Sequence, residues 1–582
     1  MIVVHVTHEA VEKIGGIGTV IGGLMTTDAY NKAVERTVLL GPLLSTDKPV
    51  NRRLGEGGHV TYSSLDGVCP PQWREKFMPI EKTYDVGIIY GHRKVEDACT
   101  GKSVEAEVLV IDVFHANRDR LNLFKAELFK KFFIPSHDFE KIWEYEEYVR
   151  LAEPGFEALK AIGCNNGNQM LILSHEYMGM PTALRAILDG SPRTRTVFYA
   201  HEVATVRPIV EDSPGHDTMF YNVMDRASQA GKNCDEVFPW VRANYKHPLV
   251  KAARYCDNVF AVGDYVVDEL RFLDPHFQTM DIDLVYNGVP AEKITIKEKL
   301  ASKARLQQYA KNLLDHRPDW IFTHVARPVL SKGLWRDLAV LHHLEPIMHQ
   351  RGQRMVYFML GTLAGQRRRA DVRQMERVYG WPVGHEKGYP DLCQGEEVLG
   401  EIFAGFNRGH EACRAVFVNQ WDWNRQVCGD RMPEEMTFAD IRHGTDLEFG
   451  LSIYEPFGIS QLEPLCFGAI CLVSNVCGCM GFATRVSSGN VNPDNIIEAN
   501  FLHVPRDIDV DRLMNLSIAD RDAIETVEAA RLAGLVGPLL VNDADVIEKR
   551  ITTGYELARK MSWEHVVKDY FLPSLARTAG EV

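Results

Sequence analysis

The sequence predicts an α/β protein of two domains, each built on a parallel sheet wound with helices. Three observations predict it. Short apolar runs rich in β-branched and aromatic residues recur, each followed by a helical pattern, which is the signature of strands buried on both faces. The series breaks once, at a polar and mostly helical stretch from Ala291 to Pro318, and restarts at Trp320. The chain has 582 residues, 45% of them hydrophobic and 25% charged, enough for two large cores.

In the first half the runs are Ile2–Val6, Val86–Tyr90, Val108–Val113, Met170–Ser174, Thr196–Ala200 and Asn258–Val262. In the second they are Ile321–Val325, Val356–Leu360, Ala415–Asn419 and Ile470–Ser474. Helices between strands imply right-handed parallel crossovers. Asn287, Gly288 and Pro290 supply turn chemistry just before the break. The expected domains are therefore 1–290 and 291–555, followed by a terminal segment, 556–582. In that segment Trp563, Val566, Val567, Tyr570 and Phe571 form one apolar helical stripe. Parallel sheets place ligands at the carboxyl ends of their strands. Two such domains facing each other would enclose a cleft.

Charge and composition exclude several classes. A net charge of −14 argues against a general nucleic-acid binder, which needs a basic face. The opening MIVVHVTHEA has neither the basic leader nor the apolar run of a signal peptide. No stretch approaches the ~20 apolar residues of a membrane span. The 12 cysteines are scattered, and the single CxC, Cys477 and Cys479, has no second pair to complete a zinc site. Buried thiols in a reducing, cytoplasmic setting are the expectation. No His/Asp/Glu cluster has metal-ligand spacing, and no GxSxG elbow is present.

Four constellations sit at predicted strand ends. Lys13-Ile14-Gly15-Gly16-Ile17-Gly18-Thr19 follows the first strand. Its N–H groups and Lys13 suit a phosphate, and a tight turn that needs glycine is the other reading. Arg327 and Lys332 follow the strand that opens the second half, where two cations suit a diphosphate and a solvated loop is the alternative. Glu455-Pro456-Phe457-Gly458 is followed by Glu463, eight residues after Glu455. A helix starting near Gly458 would place both carboxylates where they accept hydrogen bonds from sugar hydroxyls, with N–H groups near Gly458 open to a phosphate. His175 and His201 each end a strand of the first half. The run Arg367-Arg368-Arg369 reads as a solvated helix face.

At these residues the chain resembles the glycogen and starch synthases, retaining glycosyltransferases of the GT-B fold. Lys13-Ile14-Gly15-Gly16-Ile17 with Thr19-Val20 is similar to that family's lysine–glycine–glycine loop. Ser452-Ile453-Tyr454-Glu455-Pro456-Phe457-Gly458 is similar to its EPxG signature, and Glu455 with Glu463 to its E-x7-E spacing. Arg327 and Lys332 match its arginine–lysine pair. HEY at 175–177, FYN at 220–222 and IRHG at 441–444 resemble the eukaryotic-type synthases in particular. Departures are Gly18, where relatives carry a larger residue, the stretch Val68 to Arg150, and a missing arginine-rich helix near the C-terminus. Neither a polymer acceptor nor control by glucose 6-phosphate is therefore implied.

The resemblance implies a GT-B enzyme of two facing Rossmann-like domains, with 556–582 returning to the first. It moves a hexose, glucose by preference, from a UDP- or ADP-sugar to a glycan or other acceptor. Arg327 and Lys332 would hold the diphosphate, Glu455 with Gly458 the sugar, and Glu463 the ribose. Lys13, Gly15 and Gly16 would close over the phosphates, and His201 would face the sugar. Glu176 and Tyr177 are candidates for the acceptor wall. No metal, cofactor, nucleic acid or membrane is required, and self-association is left open. The domains are expected to close about the turn at Asn287–Pro290 and a second crossing near the C-terminus. The alternatives are a sugar-nucleotide epimerase of the same architecture and a degenerate transferase kept as a binding protein. A phosphorylase is disfavoured because no pyridoxal pocket is visible.

Overall fold

The computed structural model describes residues 1–97, 100–212, 217–505 and 508–580. They fall into two compact units. Unit 1 comprises Met1–Ile209, Ala227–Gly288 and Trp563–Val582, and unit 2 comprises Val210–Arg226 and Val289–Ser562.

Unit 1 is built on nine strands: β1 (Ile2–Val6), β2 (Arg36–Pro42), β3 (His59–Ser63), β4 (Gly87–Glu96), β5 (Ser103–Asp112), β6 (Met170–His175), β7 (Thr194–Ala200), β8 (Asn258–Ala261) and β9 (Ile282–Leu284). Their order is β3-β4-β5-β2-β1-β6-β7-β8-β9. The expectation of an all-parallel sheet holds from β5 through β2 to β9 and fails at the other edge. There β4 runs antiparallel to both β5 and β3. Only residues 97–102 separate β4 from β5, too few for a crossover, so the pair forms a hairpin. This hairpin lies in the stretch that matched the family poorly. Unit 1 is closed by the terminal segment, where Trp563, Val566, Val567 and Phe571 are buried. The indole of Trp563 lies so close to Gly288 that a Cβ there would stand 2.5 Å from the ring.

Unit 2 carries six strands, all parallel: β10 (Trp320–Val325), β11 (Met355–Leu360), β12 (Cys413–Val418), β13 (Leu447–Gly450), β14 (Ile470–Ser474) and β15 (Ile496–Ala499). Their order, β12-β11-β10-β13-β14-β15, is that of a Rossmann sheet. Alternate strand residues feed two different cores. Phe322, Tyr357 and Phe417 face one side, while Ile321, Val356, Phe358 and Val416 face the other. The polar stretch at the break forms a helix, Ile296–Leu314, started by a Thr295/Glu298 capping box. Its Lys303 pairs with Asp446 at 2.9 Å, directly before β13.

Candidate functional site

In unit 2 the chain reverses its direction of winding between β10 and β13, adjacent parallel strands. The crevice at the carboxyl ends of such a pair is where Rossmann sheets take ligands. The connection after β10 carries Arg327 and Lys332; the loop after β13 carries Glu455 and Gly458, and Glu463 follows the short helix that loop leads into. Backbone bonds tie the loops together, the N–H of Ile453 donating to the carbonyl of Ser331 at 2.8 Å. From beneath, the fully buried Arg336 donates to the carbonyls of Leu451 and Ser452 at 3.2 and 3.3 Å and pairs with Glu525.

The structure joins Lys332 to Glu455 in a direct ion pair, with side chains 21% and 15% exposed. Gln461 steadies the region, donating to Ser452 Oγ at 3.0 Å and to Glu455 at 3.5 Å. Gly458 adopts φ +91°, and a Cβ there would stand 1.9 Å from Gln461 Oε1, so the turn requires glycine. The expected helix is only Ile459–Leu462, continuing as a 3-10 turn over Glu463–Phe467. Arg327 is exposed and has no side-chain partner among the described residues.

Glu463 meets Arg442 Nε at 3.0 Å. Arg442 is buried and also pairs with the buried Glu448 of β13 at 3.1 Å. Burial raises the Glu448 carboxyl, and the nearby Arg442 cation opposes that rise. The likeness at IRHG assigns Arg442 no role. Its signal was a charged residue just before a strand that itself carries a glutamate. Arg367 corrects the reading of the arginine run. It is buried, pairs with Glu396 and donates to the carbonyl of Asn419 at 2.7 Å, whereas Arg368 is exposed. An open groove of mixed lining, with Met480, Val491, Ile497 and Leu535 beside Glu498 and Arg531, flanks β15 and includes none of the candidate site residues.

In unit 1 the winding reverses between β1 and β6. The Lys13 loop follows β1, His175 ends β6 and Glu176 opens the helix Glu176–Asp189. The glycine loop is not an empty anion cradle. The buried Glu9 accepts from the N–H groups of Ile14 and Gly15 at 2.9 Å and of Gly18 at 3.0 Å. A Cβ on residue 18 would lie 2.7 Å from the same carboxylate, which accounts for glycine at this departure. Lys13 is exposed and Gly16 opens the helix Gly16–Met25.

His201 lies beyond β7, its Nε2 2.7 Å from His175 Nδ1, and Tyr199 stacks over its ring. Glu176 is buried at φ +60°, a conformation that costs strain for a side-chain-bearing residue. It accepts from the N–H of Glu202, and its other oxygen has no hydrogen-bond partner among the described residues. Burial, then the facing Glu202 carboxylate, push its carboxyl well above the ordinary range. Tyr177 donates to Glu144, so its hydroxyl is already engaged.

Burial lowers the His5 and His201 imidazoles to about 3 and His175 well below its ordinary value. A depressed imidazole binds its proton less well folded than unfolded. Stability is therefore fully present above pH ~6.5 and lost as pH falls toward the folded values. Denaturant unfolding at pH 7, 6 and 5 is expected to show falling stability, with net proton uptake on unfolding. A flat profile across that range contradicts neutral buried imidazoles.

No protein-family model and no curated protein sequence matches this chain. Solved structures do match along its whole length. A UDP-forming α,α-trehalose-phosphate synthase from Burkholderia xenovorans aligns at 12% identity and TM-score 0.50, covering 99% of each chain. The N-terminal domain of the trehalose-6-phosphate phosphatase of Candida albicans aligns at 10% identity and TM-score 0.51, covering 99% of this chain and 96% of that one. With two Rossmann-like units, the fold is that of the GT-B glycosyltransferases. Among the described residues no helix is long and apolar enough to cross a membrane.

Proposed function

We propose that this chain is a retaining glycosyltransferase moving a hexose, glucose by preference, from a UDP- or ADP-sugar to a glycan or other sugar acceptor, in the manner of glycogen synthases. The observation that carries it is the Lys332–Glu455 pair at the winding reversal between β10 and β13. An ammonium and a carboxylate held against one another suit a ligand that is anionic at one end and hydroxylated at the other. When a sugar diphosphate enters, Lys332 exchanges carboxylate for phosphate and Glu455 accepts from sugar hydroxyls. Arg327 adds a bidentate phosphate contact, and Glu463, fixed by Arg442, takes the ribose hydroxyls.

Lys13 contributes its charge toward the phosphates. Gly15 and Gly16 shape the loop, while Glu9 rather than a phosphate holds three of its N–H groups. His201 faces the sugar. Retention follows a front-face displacement in which the leaving phosphate takes the acceptor's proton, so charge stabilisation and positioning supply the rate. The domain limits of the working enzyme are taken as 1–290 and 291–555, with 556–582 returning to the first.

Side-chain cations serve the phosphates in this scheme. Activity is therefore expected to persist in excess EDTA. A complete loss restored by magnesium would instead indicate a metal-bridged diphosphate. The test of the function itself is release of nucleoside diphosphate from UDP-glucose or ADP-glucose, measured with and without sugar acceptors.

A further inference from the structure

Three imidazoles from three neighbouring parallel strands of unit 1 are bonded in series. His5 lies on β1, His175 ends β6, and His201 follows β7. His5 Nδ1 meets His175 Nε2 at 2.8 Å, and His175 Nδ1 meets His201 Nε2 at 2.7 Å. Behind them His5 Nε2 meets the Tyr30 hydroxyl at 3.1 Å, which meets Thr37 Oγ1 at 2.9 Å. The rings of His175 and His201 are within 7° of parallel with centroids 5.0 Å apart, set edge to edge as an in-plane hydrogen bond requires. Of the six ring nitrogens, His201 Nδ1 is left without a partner among the described residues.

All three rings are neutral at pH 7, because burial outweighs every other influence; the ionisable groups acting on His175 and His201 are histidines of this set and His8. A neutral imidazole has one N–H donor and one bare acceptor nitrogen. In series this leaves two arrangements. Either Tyr30 donates to His5, every ring carries its proton on Nδ1, and His201 offers a donor. Or every ring carries its proton on Nε2, Tyr30 donates to Thr37, and His201 Nδ1 offers a lone pair. Any mixture sets N–H against N–H, or lone pair against lone pair, in a buried line.

We propose that Tyr30, His5 and His175 are positioning residues that lock the tautomer of His201 to their own, so that a ligand at His201 Nδ1 selects the proton position in all three rings together. This rests on His201 as the sugar-facing group. Passing from the first arrangement to the second moves one proton across each bond. Tyr30 gives its proton to His5 Nε2 and takes one from Thr37, which regains it from water. His5 gives the Nδ1 proton to His175 Nε2, His175 gives its own to His201 Nε2, and the Nδ1 proton of His201 leaves to ligand or water. Net charge is unchanged.

The test is 15N–1H correlation spectroscopy of the full-length, 15N-histidine-labelled protein, which reports the tautomer of each ring. His5, His175 and His201 are expected to share one tautomer, and Tyr30→Phe to shift the ring signals of all three. Mixed tautomers in the native protein, or a Tyr30→Phe change confined to His5, would overturn the proposal. The phenyl ring keeps the stack that Tyr30 makes on Phe571, with centroids 5.9 Å apart. A second variant guards against misfolding. His175→Asn reproduces the contact to His201 but not that to His5, and in that background Tyr30→Phe is expected to leave His201 unmoved. With UDP-glucose or ADP-glucose as donor, Tyr30→Phe is expected to lower kcat and spare KM. If no donor turns over, the transferase reading falls while the spectra still decide the relay; mixed tautomers in an active enzyme sink the relay alone.

Discussion

Lys332→Ala and Arg327→Ala are each expected to lower turnover, with donor in excess, by roughly two orders of magnitude or more, the usual consequence of removing one preorganised donor to developing oxyanion charge. The two side chains start from different states. Lys332 is paired to Glu455 and half-buried, so its loss also frees that carboxylate. Arg327 is exposed and unpartnered among the described residues, so its loss disturbs no packing. Both variants are expected to keep near-native stability, since pairs this close to solvent contribute little. Steady-state rates and denaturant unfolding on the same preparations check both halves of the expectation. Native rates in both variants would remove the diphosphate from this crevice.

Arg442→Ala is expected to destabilise unit 2 by about 3–5 kcal/mol, because it leaves the buried Glu448 without its cation. Arg442 bridges Glu448 at 3.1 Å and Glu463 at 3.0 Å, and both it and Glu448 are buried. Replacing both members, as Arg442→Met with Glu448→Gln, is expected to recover much of that stability while activity stays low, since Glu463 is no longer held. Urea unfolding of single and double variants measures the difference. A single variant as stable as the native protein would show that the pair is not the strut described here.

What the sequence disclosed follows from what leaves a local pattern. Strands buried on both faces, such as β1, β6, β10 and β11, announce themselves as apolar runs followed by helices. β2 carries such a run but is followed by a turn-rich stretch, so the strand–helix criterion passes it over. β13 is four residues long, and its Glu448 interrupts the run; tertiary contacts make that glutamate tolerable, with Arg442 paired to it and Thr323 Oγ1 and the Val325 N–H donating to it. The polar ends of β4 and β5, residues 91–96 and 103–107, alternate rather than run apolar, so the hairpin stayed hidden. At the site, motif residues were legible because turns and charges at strand ends are local. Their partners were not. Glu9 in the glycine loop, Arg442 under Glu463 and the His5–His175–His201 series all depend on which strands lie side by side. Arg367 leaves no local sign of its burial for the same reason: its partner Glu396 is 29 residues away.

The most direct test of the central claim is product analysis by proton NMR, with UDP-glucose and ADP-glucose as donors and oligosaccharide and monosaccharide acceptors. The account predicts nucleoside diphosphate released in step with a new glycosidic bond of the donor's α configuration, and neither product from Lys332→Ala. An inverted anomeric bond, an isomerised donor without transfer, or no turnover of either donor with any acceptor would contradict it.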